Sequence, residues 1–407
     1  MRRLVIVGAS LAGLRAVESA RRNGFTGEIV LVGAEEHLPY DRPPLSKAFL
    51  RQDGPAHVVP FRPERELREE LDVDLLLGAP AEGLDTTARE VTVAGMGLPY
   101  DALVIATGAT PRSLAGTAGV AGVHALRTKD DAVSIRNGLD AGARTVVIGA
   151  GFIGSEVASA ARGRGLPVTV VEALDVPLSR AIGSEAGLAC AELHRANGTE
   201  LRLGTGVSGI ESTGSRVTGV RLDSGAALPA DLVVLGIGVT PATGWLEGSG
   251  VDLHESDRGV VCDATLATSA PGVYAAGDVA HVANPLFDGE LMRLEHWTNA
   301  AEQGAAAARH AVDPAGARAL ATVPYFWSDW YAHRLQFVGT ARADEVAVLR
   351  RDDAGLVALY RRGDRIAGAL TVDRPKEIMK YRKRIADSGP WTEALAFADA
   401  GKASATA

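Results

Sequence analysis

Two kinds of residue in this chain are spaced to do chemistry: glycines that admit a phosphate group, and carboxylates at the ends of apolar runs. The glycines fall in two turns, Gly8-Ala9-Ser10-Leu11-Ala12-Gly13 and Gly149-Ala150-Gly151-Phe152-Ile153-Gly154, about 140 residues apart. In such a turn the first glycine permits the tight bend and the second lets the backbone approach a pyrophosphate. The third lets a helix pack on a strand, and the helix N-terminus then faces the anion. Two such turns imply two bound dinucleotides.

The elements that must position these turns are legible on both sides of each. Leu4-Val5-Ile6-Val7 and Thr145-Val146-Val147-Ile148 read as buried parallel strands, and the residues after each turn read as helices. Behind the second turn, Val168-Thr169-Val170-Val171 is the next strand and ends in Glu172, placed to accept hydrogen bonds from an adenosine ribose. A 2′-phosphate beside Glu172 would meet like charge, so NADH is expected over NADPH, with Arg180 nearby tempering the preference. The first turn departs from the pattern. Ser10 replaces the middle glycine, and the strand Glu28–Val32 runs into Gly33-Ala34 before Glu35-Glu36. Glu35 is the candidate ribose acid there, the alternative being a solvated loop carboxylate.

Composition narrows the class. At 407 residues with 46% hydrophobic content, the chain suits a well-buried α/β protein of two or three domains. A formal charge of −8 speaks against a general nucleic-acid binder. The opening Met1-Arg2-Arg3 and its apolar run superficially resemble an export signal, but that run is the first strand and leads into the glycine turn, so cleavage would destroy the nucleotide site. No apolar run approaches the roughly 18 to 20 residues of a membrane span, so no membrane association and a cytoplasmic location are expected. The two cysteines, Cys190 and Cys262, cannot form a vicinal redox pair, and the nine histidines show no ligand cluster, so no metal is expected.

Further landmarks are strand-to-loop crossings. Ala106-Thr107-Gly108 follows the run from Ala102, and Gly236-Ile237-Gly238 follows the run from Asp231; both lead into a proline. Later, Val273-Tyr274-Ala275-Ala276-Gly277-Asp278 reads as a short strand ending in an Asp at a helix start, where it could meet a ribityl hydroxyl. Alternation in Val91-Thr92-Val93 and across 217–222 suggests antiparallel excursions.

With these residues in view, the chain resembles the flavoprotein reductases that bind two dinucleotides on a glutathione reductase-like fold. More narrowly, Pro39-Tyr40-Asp41-Arg42-Pro43-Pro44-Leu45-Ser46-Lys47 and Pro324-Tyr325-Phe326-Trp327-Ser328-Asp329 resemble segments of the ferredoxin reductases of bacterial oxygenase systems, the putidaredoxin reductase and biphenyl dioxygenase reductase group. The resemblance implies FAD at the first turn, through Gly8, Ser10, Ala12, Gly13, Glu35, Arg42, Pro44, Lys47, Ala106, Thr107, Gly108, Arg127, Gly277, Asp278 and Trp297. It implies NADH at the second, through Gly149, Gly151, Phe152, Ile153, Gly154, Glu156, Glu172 and Gly238. It also implies that Lys47 pairs with Glu156 beside the flavin, making these two the catalytic residues.

Under this reading the FAD-binding domain is discontinuous, residues 1–111 and 240–322. An NAD-binding domain, 112–239, is inserted in it, and a C-terminal α/β domain covers 323–407. Hydride would pass from NADH to FAD, and single electrons to an acidic [2Fe-2S] ferredoxin serving a cytochrome P450 or a Rieske oxygenase. The C-terminal basic residues, among them Lys376, Lys380 and Lys383, would steer that partner; a solvated helix face is the alternative. Readings on the same fold that stay open are an NADH oxidase, a rubredoxin reductase and a redox-responsive NADH-binding flavoprotein.

Overall fold

The computed structural model describes residues 1–55, 57–352 and 355–403. Two compact units emerge, one of Met1–Asp41, Val59–Thr110 and Val239–Pro324, the other of Arg42–Val58, Pro111–Gly238 and Tyr325–Ala407.

The first unit is built on a parallel sheet with strands in the order Val273–Ala275, Ala102–Ile105, Arg3–Val7, Glu28–Val32, Val73–Leu76. Leu4, Val5, Ile6 and Val7 are all at most 2% exposed, which is why the run is continuously apolar: a strand covered on both faces has no polar side. The helix Leu11–Arg22 follows the first glycine turn and lies against the long helix Trp297–Val312. Their approach depends on Gly304, where an added Cβ would stand 2.1 Å from the Ala12 carbonyl oxygen. Ser19 Oγ bonds the Ala305 carbonyl across the same contact. Ala306, Ala307 and Ala308 are buried here, so this alanine run is core. The alternating segment at 91–93 lies in an antiparallel sheet of Ala81–Asp85, Glu90–Val93 and Met96–Pro99.

One expectation is corrected in this unit. Asp278 does not start a helix: it sits in a turn closed by the Ala280 N–H bonding the Gly277 carbonyl, and the strand Ala280–Asn284 follows. The helix comes later in the chain, at Trp297–Val312, and returns to the turn through a side chain, Gln303 Oε1 accepting from the Gly277 N–H at 2.8 Å.

The second unit repeats the plan. Its parallel sheet runs Glu200–Arg202, Val168–Val171, Thr145–Ile148, Leu232–Leu235, Val123–Ala125, so the strand before the glycine turn is again central. The helix Phe152–Gly163 follows, and Arg216–Leu222 is the middle strand of an antiparallel excursion. The segment Arg42–Val58, counted with the first domain by its place in the sequence, packs in this unit. Two short turns of 3-10 helix, Pro43–Ser46 and Ala48–Leu50, give it shape. The Arg136 guanidinium donates to the Phe49 and Pro55 carbonyls, and Arg164 Nε donates to the Leu50 carbonyl at 2.7 Å.

The C-terminal part of this unit is a five-stranded antiparallel sheet in the order Tyr325–Trp330, His333–Gly339, Arg365–Val372, Gly355–Arg362, Glu345–Asp352. Trp330, Leu335, Phe337 and Tyr360 form a core with Ile182 and Cys190. The helix Pro375–Ala386 starts on a proline, which needs no N–H partner there, and buries Ile378, Tyr381 and Ile385 on one stripe.

Candidate functional site

In the first unit the glycine turn is a cradle held from behind. Gly8 has φ +125°, donates its N–H to the Val32 carbonyl at 2.7 Å, and has no room for a Cβ, which would fall 2.1 Å from the Ala106 carbonyl oxygen. At Gly13 a Cβ would fall 1.9 Å from the Gly8 carbonyl oxygen. These two glycines serve close backbone packing. Ser10 is extended, with φ −127°, so a side chain is tolerated there, and that side chain does not cap the helix. The first-turn N–H groups thus keep the polarity that suits an anion. Ala12 is buried, with Gly277 packed against its methyl. The Ala106 N–H bonds the Val7 carbonyl, Thr107 Oγ1 bonds the Ala242 carbonyl at 2.9 Å, and the Gly108 carbonyl accepts from the Ala242 N–H.

Around Asp278 the structure reveals residues that the sequence did not single out. Arg293 Nη1 donates to the Asp278 carbonyl at 3.0 Å, while Nε meets Asp257 at 2.7 Å and Nη2 meets Glu295 at 2.7 Å. Burial would raise the Asp257 carboxyl, but the Gly259 N–H, His281 and Arg293 outweigh it and bring it down to about 2. His254, Asp257 and His281 are the one group among the described residues with ligand atoms close enough for a metal. The two imidazoles stack face to face at 4.1 Å, so one ion could not lie in both ring planes, and Arg293 already holds the second carboxylate oxygen. This is an ion-pair cluster behind the Asp278 turn.

Glu35 accepts from Tyr40 Oη at 2.5 Å, and Trp297 Nε1 donates to Asp41 at 2.8 Å. Both motif residues, Tyr40 and Asp41, therefore engage residues expected at FAD. Arg42, Pro44, Lys47 and Arg127, expected at the same cofactor, belong to the second unit.

The second cradle matches the first in backbone detail. The Gly149 N–H bonds the Val171 carbonyl at 2.7 Å, and a Cβ on Gly149 or Gly154 would fall within 2.4 Å of a backbone oxygen. Gly151 differs: an added Cβ would meet only the Gly236 oxygen, at 3.7 Å, so its missing side chain leaves space that no protein atom uses. That is what a pyrophosphate approach requires. Phe152 puts its ring against Phe326 at 4.7 Å, and Ile153 is 39% exposed. Gly238 has φ +96° and accepts from the Arg112 N–H. Glu172 sits just past the strand end, and its two oxygens accept from the Ala150 and Leu174 N–H groups at 2.8 and 2.9 Å.

The same unit brings Lys47 and Glu156 together. Lys47 Nζ lies 2.8 Å from Glu156 Oε1, the side chains being 15% and 3% exposed. Two serines complete the carboxylate shell: Ser328 Oγ donates to Oε1, and Ser46 Oγ to Oε2. Both lie in motif segments, which is the only signal the sequence carried for them. Arg42 Nη1 donates to the Arg127 carbonyl at 2.6 Å, the Pro44 carbonyl accepts from the Lys47 N–H, and the Arg127 N–H reaches Asp131. Next to Glu156 in the chain, Ser155 Oγ lies 3.1 Å from His194 Nε2, whose Nδ1 meets Tyr331 Oη at 2.7 Å. Burial, with Arg195 adding to it, pushes His194 down to about 4, so the ring is neutral and its two nitrogens serve as one donor and one acceptor.

Cys190 and Cys262 are both buried, and burial pushes the Cys262 thiol up to about 12. No helix among the described residues is long and apolar enough to cross a membrane.

Comparison with known proteins places this geometry. The chain is 38% identical over 393 residues to rhodocoxin reductase of Rhodococcus erythropolis, covering 96% of this chain and 90% of that one. It is 37% identical to the ferredoxin–NAD(+) reductase component of the p-cumate 2,3-dioxygenase system of Pseudomonas putida, covering 94% and 92%. Its fold superposes with a TM-score of 0.89 on the reductase of the covalent putidaredoxin reductase–putidaredoxin complex, at 33% identity and 96% and 94% coverage. Residues 2–304 match the pyridine nucleotide-disulphide oxidoreductase family and 325–403 the reductase C-terminal family. Two glycine cradles of one design, each behind the central strand of a parallel sheet, and a C-terminal sheet that follows them, therefore have a family to answer to: this chain belongs to the pyridine nucleotide-disulphide oxidoreductases that carry a reductase C-terminal domain.

Proposed function

We propose that the protein is an FAD-dependent NADH:ferredoxin oxidoreductase, taking hydride from NADH and passing electrons singly to a [2Fe-2S] ferredoxin that serves a cytochrome P450 or Rieske oxygenase. The observation that carries this reading is the Lys47–Glu156 ion pair, with Glu156 buried on the helix of the second cradle and Lys47 reaching it from the segment Arg42–Val58, in a chain without a vicinal cysteine pair. Bound FAD supplies the exchange between a two-electron donor and a one-electron acceptor. The chain's residues hold, orient and polarise. The first cradle, with Asp278 and the Ala106–Gly108 crossing, would hold FAD; the second, with Glu172, would hold NADH. Lys47 offers a positive charge whose position is set by Glu156, two residues past the last cradle glycine. A fixed cation preorganised where negative charge develops lowers the barrier to hydride transfer. We retain the division into an FAD-binding domain (1–111 and 240–322), an NAD-binding domain (112–239) and a C-terminal domain (323–407), and a cytosolic location, where NADH is supplied.

Anaerobic stopped-flow tests this. The flavin of the purified protein should bleach on mixing with NADH and recover when oxidised ferredoxin is added. Recovery only on admitting oxygen would instead make the protein an oxidase.

A further inference from the structure

We propose that Ser328, oriented by Trp330, is a positioning residue of the hydride-transfer site, fixing Glu156 so that Glu156 fixes Lys47. The inference rests on the function proposed above and deepens it.

The hydrogen bonds form a directed chain. Trp330 Nε1 donates to Ser328 Oγ at 2.8 Å, Ser328 Oγ donates to Glu156 Oε1, and the same oxygen accepts from Lys47 Nζ at 2.8 Å. An indole N–H can only donate and a hydroxyl has one proton, so Trp330 occupies a Ser328 lone pair and leaves its proton for the carboxylate. Ser328 and Trp330 stand two residues apart on the strand Tyr325–Trp330, hence on one face of it, and both are fully buried. Because Ser328 and Glu156 are both buried, losing the hydroxyl leaves the carboxylate short of a donor. Trp330 is itself locked, its ring lying 5.0 Å from His194 and 6.5 Å from Phe152, the first residue of the cradle helix. A second tie runs parallel: the Tyr331 N–H bonds Ser159 Oγ, and Tyr331 Oη bonds His194, which bonds Ser155. Ser155, Glu156 and Ser159 thus face the segment Ser328–Tyr331 from one side of the cradle helix. The first strand of the C-terminal sheet therefore acts as a template for the Lys47–Glu156 pair, beyond any part it has in meeting a partner.

Five forms of the holoprotein decide the matter: wild type, Ser328→Ala, Ser328→Thr, Glu156→Gln, and Ser328→Ala combined with Glu156→Gln. The readouts are the limiting rate of anaerobic flavin bleaching by NADH and the NADH dissociation constant. Removing the hydroxyl should slow bleaching about tenfold, the scale of one hydrogen bond to a charged group, with NADH binding unchanged within about twofold. Threonine, which keeps the hydroxyl, should restore most of the rate. In the Glu156→Gln background the Ser328→Ala change should cost less than about twofold more, since the residue it acts through is altered already. An unaltered Ser328→Ala rate, an equal loss in both backgrounds, or a loss that threonine does not restore would each overturn the proposal. Failure of the wild type to bleach at all would remove the functional reading beneath it, whereas a normal wild type with an indifferent Ser328→Ala removes only this inference.

Discussion

Glu172 is the carboxylate proposed at the coenzyme ribose, and it is also bonded to the backbone of its own glycine turn. Its place after the second strand gives the ribose reading, and its bonds to the Ala150 and Leu174 N–H groups make it a brace for the glycine turn as well. Glu172→Arg is therefore expected to do more than shift coenzyme choice. NADH affinity should fall at least about tenfold because both backbone bonds go with the charge, while the ratio of NADPH to NADH affinity rises. Titration of both coenzymes into the holoprotein checks this, and an unchanged ratio would remove Glu172 from the specificity site. At this scale the sequence was informative where function needs a residue type in a local pattern, as at Gly8, Gly149 and Glu172. It was silent on Arg293, Gln303 and Ser328, whose roles come from residues far away in the chain.

At the level of elements, the crossing of the first glycine helix with Trp297–Val312 is the contact on which the first cradle depends. Gly304 lets the two backbones touch, Ser19 and Ala305 bond across them, and Gln303 on the same helix accepts the Gly277 N–H. Gly304→Ala would place a methyl 2.1 Å from the Ala12 carbonyl oxygen. The helices must part, at a cost of about 2 kcal/mol. Thermal melting should show a lower Tm and dialysis a larger fraction of apoprotein; a variant with wild-type Tm and full flavin content would contradict the assigned contact. The same crossing explains the misplaced helix at Asp278. The turn there is held by a helix nineteen residues further on, Asp278 to Trp297, and local propensity around Gly277 has no means of signalling it.

At the scale of the whole molecule, charge is unevenly distributed. The chain carries −8 overall, yet Lys376, Lys380 and Lys383 stand exposed along the helix Pro375–Ala386, whose other face is buried through Ile378, Tyr381 and Ile385. An acidic ferredoxin would be steered by such a face, and the steering would fade with salt. Replacing the three lysines with glutamate should lower ferredoxin reduction about tenfold at low ionic strength, with the two proteins converging as salt rises. Bleaching by NADH should not change. Equal rates at low salt would leave the helix as a solvated face and no more.

What the amino-acid sequence determined by itself were the two cradles, the central strand behind each, the antiparallel excursions and the class of chemistry. Each of these is written within a few consecutive residues, as a glycine that must bend, an apolar run that must be covered, or an acid at a strand end. Tertiary structure alone decided which groups surround Glu156, since Ser46 and Ser328 lie 110 and 172 residues from it in the chain. It likewise decided that the segment Arg42–Val58 packs with the second unit and that Arg293 holds the Asp278 turn. The physical reason is common to all three. A buried polar group must find its partner wherever folding brings one within about 3 Å, and sequence distance places no limit on where that partner comes from.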